Sequence, residues 1–423
     1  MAVGTAPIDI FDADLPTLTY DANETPAAVY PRIFAAQRQA PIALGPFGPE
    51  VLSYHLVRSV LRDNRFLIPP GLNLVVQGIT SGPLWDKVVD SLLCLEGDAH
   101  HRLRSLTSKA FTPRATLRLH DTMVAVMNEL IDRVVQTGLG NGLENGLESG
   151  RCDVVTDLAR PYPVPIICAL LGAPREDWQQ FSLWADEIFK AFSFIVGVKE
   201  IEPLVMRAWG QLDEYVDEMV ARRRHSLTDD LLSDLIRAED DGDRLNPAEL
   251  RMLAGGLLLA GTDTTRNQLA ASVQVLCEHP DQWELLTRRP ELAMCAVEET
   301  MRHSPIAGGT LRRVVEDAEV DGYLFPAGTT VLVNTAAANR DPSVYDDPHR
   351  VDITREGAPA ILTFGGGIHY CLGANLARRE LAEALTVLTS RIRNPRVSGP
   401  APWKPMVSLS GPLSLPIEFA VSR

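Results

Sequence analysis

A mainly helical fold with small β-sheets is what this sequence predicts, and three observations carry the prediction. Apolar residues recur at helical spacing from about residue 84 to 303, the pattern that lets one face of each helix bury. Within that stretch one helical pattern runs without a breaker from Asn246 to about His279. Strand-like pieces are few and short, at Thr310–Val315, Thr329–Asn334 and Leu413–Phe419, the last with clear alternation,.

The elements follow in order. Met1 to Pro26 carries Asp9, Asp12, Asp14, Asp21 and Glu24 and lacks a basic, apolar leader, so neither a signal peptide nor a membrane anchor is expected there. Thr137 to Gly150 (TGLGNGLENGLESG) has glycine every few residues and reads as a surface loop between helices, with helical pattern resuming at Asp153. Asn246-Pro247-Ala248-Glu249 offers an N-cap, proline at the first helical position and glutamate at the third,. At 1.5 Å per residue the helix that follows is roughly 50 Å long, enough to cross the molecule. A further helix covers about Pro290 to His303 and stops before Pro305,. The last long helix is expected to start at Cys371, with Leu381, Leu385 and Leu388 on one face,. The chain, 1–423, reads as one unit: a helix-rich core (about 84–303 and 371–393) with smaller β-containing parts in the N-terminal region and about 305–420.

Composition narrows the class. Of 423 residues, 45% are hydrophobic and 22% charged, as in a globular protein with a large core. The six cysteines (Cys94, Cys152, Cys168, Cys277, Cys295, Cys371) include no close pair, which argues against a zinc ribbon, a redox pair or covalent c-type haem attachment. Scattered thiols suit a reducing cytosol, so a cytoplasmic location is expected. The most apolar stretch, Met252 to Gly261, is well short of the ~20 residues that span a bilayer. A net charge of −15 speaks against general nucleic-acid binding, though not against local basic patches.

The most informative segment is Phe364-Gly365-Gly366-Gly367-Ile368-His369-Tyr370-Cys371-Leu372-Gly373. Glycines let the backbone adopt unusual conformations and let a flat cofactor come close. A cysteine at a helix N-terminus meets unpaired N–H groups and the positive end of the dipole, which favour its thiolate. Such a thiolate is what a haem iron needs on its proximal side. Within the long helix, Ala260-Gly261-Thr262-Asp263-Thr264-Thr265 puts a glycine in mid-helix at a cost of about 1 kcal/mol. Small residues there would let a macrocycle and a diatomic ligand lie against the helix. Thr264 can bond a carbonyl one turn back, and Asp263 supplies a carboxylate for moving protons.

Together these segments resemble the cytochrome P-450 family, over roughly residues 90 to 420. Phe364, Gly367, Cys371 and Gly373 match the family's haem-binding loop in order. The resemblance implies a long central helix over haem b (iron protoporphyrin IX) with the cysteine loop beneath it. It makes Cys371 the axial iron ligand, packs Phe364 and Gly365 near the sulfur, and puts His369 near a haem propionate. It assigns oxygen-activating proton delivery to Asp263 and Thr264, with Ala260 and Gly261 as pocket wall. Glu299 and Arg302 match the family's Glu-x-x-Arg pair and imply structural support for the cysteine segment. His100-His101-Arg102-Leu103-Arg104 resembles the His-x-Arg-x-Arg helix, which places His100 and Arg104 on propionates, although Gly97-Asp98-Ala99 replaces the usual lead-in. Arg312 aligns with a third propionate partner, and Arg313 beside it is the alternative.

The implied activity is that of a monooxygenase that activates O2 with electrons from a separate partner. That partner would be a ferredoxin or flavodoxin with an NAD(P)H-dependent reductase, since no flavin or nicotinamide fingerprint is visible in the chain. Arg102, Arg378 and Arg379 are expected on the proximal surface, where they would attract an acidic carrier. Leu67 to Trp85, Ile188 to Val198 (with Phe189, Phe192, Phe194 and Ile195) and Met406 to Leu415 are expected to line the substrate cavity. Lys190 is the one charge there and is expected to face solvent. A lipophilic small molecule, hydroxylated or epoxidised, fits such walls: a terpenoid, steroid, fatty acid or polyketide-like product. The alternatives are a peroxide-dependent haem-thiolate enzyme and a non-catalytic haem-binding or sensing protein.

Overall fold

The computed structural model describes residues 6–421 other than 22, 145–146, 193–196, 241–244 and 407–408. Its axis is the central helix, Pro247–Glu278. The start is fixed as the sequence requires: Asn246 Oδ1 accepts from the Glu249 N–H at 2.9 Å, and Glu249 Oε2 accepts from the Asn246 N–H at 3.0 Å. Two orphan donors of the first turn are thereby satisfied. The helices Pro163–Leu171, Trp178–Ile188, Val198–Arg224, Ala293–His303 and Ala374–Arg391 all pack against it. Enclosure on several sides explains why this helix buries polar residues such as Asp263, Arg266 and Gln268 along with its leucines,.

Among the described residues the strands form three sheets, of five, four and three strands. The five-stranded sheet contains Thr310–Val314, paired antiparallel with Thr330–Val333, and these are the two predicted strands. The four-stranded sheet corrects the sequence reading. The glycine-rich segment read as a loop forms two strands, Leu139–Glu144 and Leu147–Asp153, the second of which pairs with Pro416–Val421. Gly150 lies opposite Phe419, where a Cβ would stand 2.7 Å from the ring's Cζ. Glycine here makes room for a cross-strand aromatic ring rather than for a turn.

Two boundaries also move. The terminal helix begins at Ala374, three residues after Cys371, and the last strand begins at Pro416, leaving Leu413 exposed. Val154–Leu171 is apolar and long enough to cross a membrane by composition, where the sequence reading had singled out Met252–Gly261. It is 61% buried inside the protein and broken into a wide turn, Val154–Ala159, and the helix Pro163–Leu171. The Tyr162 hydroxyl between them donates to Glu380 O at 2.9 Å.

Candidate active site around the cysteine loop

The cysteine loop is held by its own backbone. The Cys371 N–H donates to Phe364 O at 2.9 Å, and the Gly365 N–H donates to Leu362 O at 2.9 Å. Gly367 has φ +66°, and a Cβ on it would stand 2.4 Å from Leu61 O. Only glycine meets both conditions. The Phe364 ring is covered by the Arg378 guanidinium, 4.3 Å from its centroid. Arg378 also donates to the Tyr370 hydroxyl at 2.9 Å, and Arg104 donates to Tyr370 O.

Cys371 keeps an accessible surface although burial pushes its thiol up from the usual range. The Gly373 N–H and the charges of Arg104 and Arg378 act in the opposite sense, favouring the anion. The expected helix-dipole effect is thus reduced, because the helix starts three residues later and burial dominates.

Beside the loop, charged groups from three elements converge. His369 and His100 stack with centroids 4.4 Å apart. His369 Nε2 lies 3.0 Å from Glu96 Oε1, but at an angle that leaves it without a proper hydrogen bond. His100 Nε2 and Glu96 Oε2 are likewise buried without partners. Burial, helped by His369 and Arg104, lowers the His100 pKa to about 4. Arg312 is 3% exposed, and burial lowers its pKa to about 10, opposed by Glu96. Arg313 next to it is exposed, so Arg312 is the arginine that meets this cluster. Burial tends to raise the Glu96 pKa, but the close approach of His369 and the hydrogen bond from the Ile68 N–H outweigh it and hold the carboxylate low. Glu96 was missed in the sequence, although it sits immediately before the atypical Gly97-Asp98-Ala99. These orphaned donors and desolvated cations are the chemistry that two carboxylates on one edge of a flat cofactor would satisfy, and the accessible sulfur offers a soft ligand beside them. The residues present fit haem b.

On the central helix, Gly256 and Ala260 are exposed and Thr264 is half-buried. Their spacing of four puts them on one face. Thr264 Oγ1 donates to Ala260 O at 2.7 Å. Gly256 was not singled out in the sequence, though its offset from Ala260 would have found it. Gly261 corrects an expectation: it turns toward the helix Pro163–Leu171, where a Cβ would lie 2.9 Å from Ile167 Cγ1. Its smallness serves helix packing, not the pocket wall. Asp263 is 3% exposed and paired with Arg266. Arg266 is shared with Asp186, which Arg160 also contacts. Lys404 Nζ approaches Asp263 to 3.9 Å. Asp263 and Thr264 therefore point into different surroundings. Arg266, three residues on from Asp263, was the readable signal for this network.

Behind the loop, Arg302 is 1% exposed and grips Glu299 through Nε at 2.7 Å and Nη2 at 2.8 Å. It also donates to the carbonyls of Asn339, Pro348 and Arg350. Asn339 in turn accepts from the Leu362 N–H at 2.7 Å and donates to Thr363 Oγ1 at 2.8 Å, which brings the chain of bonds to the residue before Phe364. The arginines expected to attract an electron carrier are each engaged: Arg102 by Glu249, Arg378 by Glu298, Arg379 by Glu383.

A buried helix spanning a helical core, with an accessible cysteine in a glycine loop beside partnerless histidine nitrogens and a desolvated arginine, is the framework of a haem-thiolate protein. The comparisons with known proteins agree. The family model for cytochrome P-450 matches residues 88–288 and 281–398. The chain is 36% identical to luteothin monooxygenase of Streptomyces thioluteus over 413 residues, 97% of each protein. It is 37% identical to mycinamicin IV hydroxylase/epoxidase of Micromonospora griseorubida over 382 residues, 88% of this chain and 91% of that one. Its structure is similar to the crystal structure of CalO2, with a TM-score of 0.85 and 29% identity, covering 95% of this chain and 99% of that one. The chain belongs to the cytochrome P-450 family; it is a haem b monooxygenase.

Proposed function

We propose that Cys371 is the axial ligand of haem b, and that the protein inserts oxygen into a polyketide-like lipophilic substrate using electrons from a separate carrier. The observation that carries the assignment is the convergence of His100 and His369, each with a ring nitrogen buried without a partner, and the desolvated Arg312 beside the accessible cysteine of the glycine loop. When bound, haem b supplies the reductive activation of O2.

The chain's own residues do the rest. Arg104, Arg378 and the Gly373 N–H bias the Cys371 sulfur toward the anion against its burial. His100, Arg104, His369 and Arg312 would hold the propionates, the arginines by charge and the histidines as N–H donors, with Glu96 lying against His369. Thr264 spends its proton on Ala260 O, which leaves its oxygen as an acceptor on the open helix face. Asp263 is held by Arg266 and approached by Lys404, so a proton reaching its carboxylate must first displace a cation. Glu299 and Arg302 fix the segment leading into Phe364.

Two of the three proposed substrate walls meet: Leu74, Ile79 and Leu84 pack with Ala191 and Val205. The Phe189 and Phe192 rings lie 6.0 Å apart, and Lys190 is taken up by Glu187 at 2.5 Å. Phe194 and Ile195 lie outside the described residues. Met406, at the start of the third wall, packs with Leu18 and Phe34 instead. Apolar walls of this kind suit the substrate class that names such as mycinamicin IV hydroxylase/epoxidase indicate for the relatives. With the three named arginines paired, the steering charge falls to Arg58 and Arg62. Both are exposed, without an ion-pair partner among the described residues, and Arg62 Cγ lies 3.9 Å from where Gly366 would carry a Cβ.

The test is optical. The reduced carbonyl complex should show the red-shifted thiolate band, macrolide or polyketide ligands should shift the ferric band, and turnover should need a ferredoxin system. A histidine-type carbonyl spectrum, or turnover supported equally by hydrogen peroxide alone, would overturn the respective part.

A further inference from the structure

A cavity of about 790 Å³ lies between the N-terminal helix Pro26–Gln37, the end of the central helix and the segments 304–305 and 401–403. None of Cys371, His100, His369, Arg312 or Thr264 borders it. Its size is that of a small-molecule site, and its walls are aromatic: Tyr30, Phe34 and Trp403. Trp403 is fixed by donating to Gln274 Oε1 at 2.8 Å, so one wall is preset.

The charged groups are few and mostly of one sign. Arg340 and Arg38 border the cavity with a single carboxylate, Glu278, in a protein whose net charge is −15. Glu278 already accepts from Gln274 Nε2 at 2.8 Å. The Arg340 guanidinium lies 5.3 Å from the centroid of Phe34, donates to His303 O, and has its Nη1 3.5 Å from Nδ1 of His349, which also lines the cavity. Its Nε–H has no hydrogen-bond partner among the described residues. Burial lowers its pKa to about 10, with Tyr30 acting in the opposite sense. The Tyr30 hydroxyl also lacks a partner there, and burial raises its pKa to about 12 against the pull of Arg340. A hydroxyl without an acceptor and a guanidinium whose Nε–H is still free, both lining the cavity, form the donor pair that a carboxylate accepts from,.

We propose that this cavity binds a small, flat aromatic carboxylate, its ring among Tyr30, Phe34 and Trp403 and its carboxylate on Arg340 and Tyr30. The site is next to the catalytic machinery without being part of it. A Cβ on Gly308 would lie 4.0 Å from both the Tyr30 hydroxyl and Met406 Cγ, and Gly308 leads into the strand that carries Arg312. Ser304 and Pro305, which line the cavity, begin the segment that runs through Gly308 to that strand.

The test uses the haem-loaded protein and calorimetric titration with 2-naphthoate, with 2-naphthalenemethanol as the uncharged counterpart and the ferric haem band recorded in parallel. The expected result is a single site, with the alcohol at least about tenfold weaker, as loss of a charge-assisted hydrogen bond predicts. Tyr30→Phe and Arg340→Gln should each weaken 2-naphthoate severalfold and leave the haem band in place. Absence of binding, equal affinity for the alcohol, or binding that shifts the haem band and ignores both variants would overturn the proposal. If Arg340→Gln fails to fold, because its bond to His303 O is lost, Tyr30→Phe and the probe pair still decide it.

Discussion

Replacing Glu299 tests how the cysteine loop is held. Glu299 and Arg302 are 4% and 1% exposed, and they share two hydrogen bonds of 2.7 and 2.8 Å. Glu299→Gln keeps the shape and an oxygen for the Asp352 N–H, now at 2.9 Å, but leaves Arg302 a buried charge with three carbonyls and the Tyr345 ring and no carboxylate, and takes the same carboxylate from Arg355, 3.4 Å away. Breaking a buried pair by removing one partner costs roughly 3–5 kcal/mol; the retained acceptor puts this variant near 3. Against a typical stability of about 5–15 kcal/mol that is a large fraction. Arg302→Lys should do no better, because an ammonium cannot serve Glu299 bidentately and reach three carbonyls as well. Glu299→Met with Arg302→Met removes both charges of the pair and leaves only Arg355, which keeps the carbonyls of Asp346, Asp347 and Arg350, so its unfolding free energy should match or exceed that of the weaker single variant. Its haem should still escape faster, since Asn339 and Thr363 lose their anchor. Denaturant unfolding by circular dichroism and haem transfer to apomyoglobin measure the two effects separately. A Glu299→Gln protein within about 1 kcal/mol of the parent, with unchanged haem transfer, would refute the reasoning.

Other perturbations follow from single contacts. Burial raises the Glu380 pKa to about 8, opposed by a hydrogen bond from Thr265. The folded value lies above the unfolded one, so the neutral carboxyl is tolerated at low pH and stability falls as pH rises toward and through 8; Glu380→Gln should flatten melting temperature against pH across that window. Gly367→Ala puts a Cβ 2.4 Å from Leu61 O at φ +66° and should cost at least about 2 kcal/mol and much of the haem content. Gly365→Ala, at φ +73° with its nearest atom 3.9 Å away, should cost only about 1 kcal/mol. Gly261→Ala should destabilise by about 1–2 kcal/mol through Ile167, and Ile167→Val should relieve part of that in a double-mutant cycle. Thr264→Ala should leave the melting temperature nearly unchanged while lowering product formed per NADPH consumed; unchanged coupling would remove Thr264 from proton handling.

What the sequence made legible was whatever depends on short spacing. The cap of the central helix, the Glu299–Arg302 pair and the glycine loop each lie within a few residues, where covalent geometry limits the outcomes. Long-range pairings were not legible. The segment Thr137–Gly150 reads as loop because glycine usually marks turns, and nothing nearby reveals that Phe419 will lie across Gly150. Gly261 carries the same ambiguity: a small residue in mid-helix says that something comes close, not whether it is a cofactor or Ile167. The proximal arginines were visible as cations, but Glu249, Glu298 and Glu383 neutralise them, and two of these lie on other elements. Asp263 shows the limit most clearly. Its neighbour Thr264 made it look like half of a relay, whereas Asp186, far away in the chain, competes with it for Arg266. Because Asp186 belongs to the helix Trp178–Ile188, just ahead of the proposed substrate wall at Phe189 and Phe192, any displacement of that helix alters the grip on Asp263. Asp186→Asn should concentrate Arg266 on Asp263 and slow proton-dependent turnover while leaving haem binding intact. A turnover rate unchanged by that substitution would mean that Asp263 handles no proton the reaction needs.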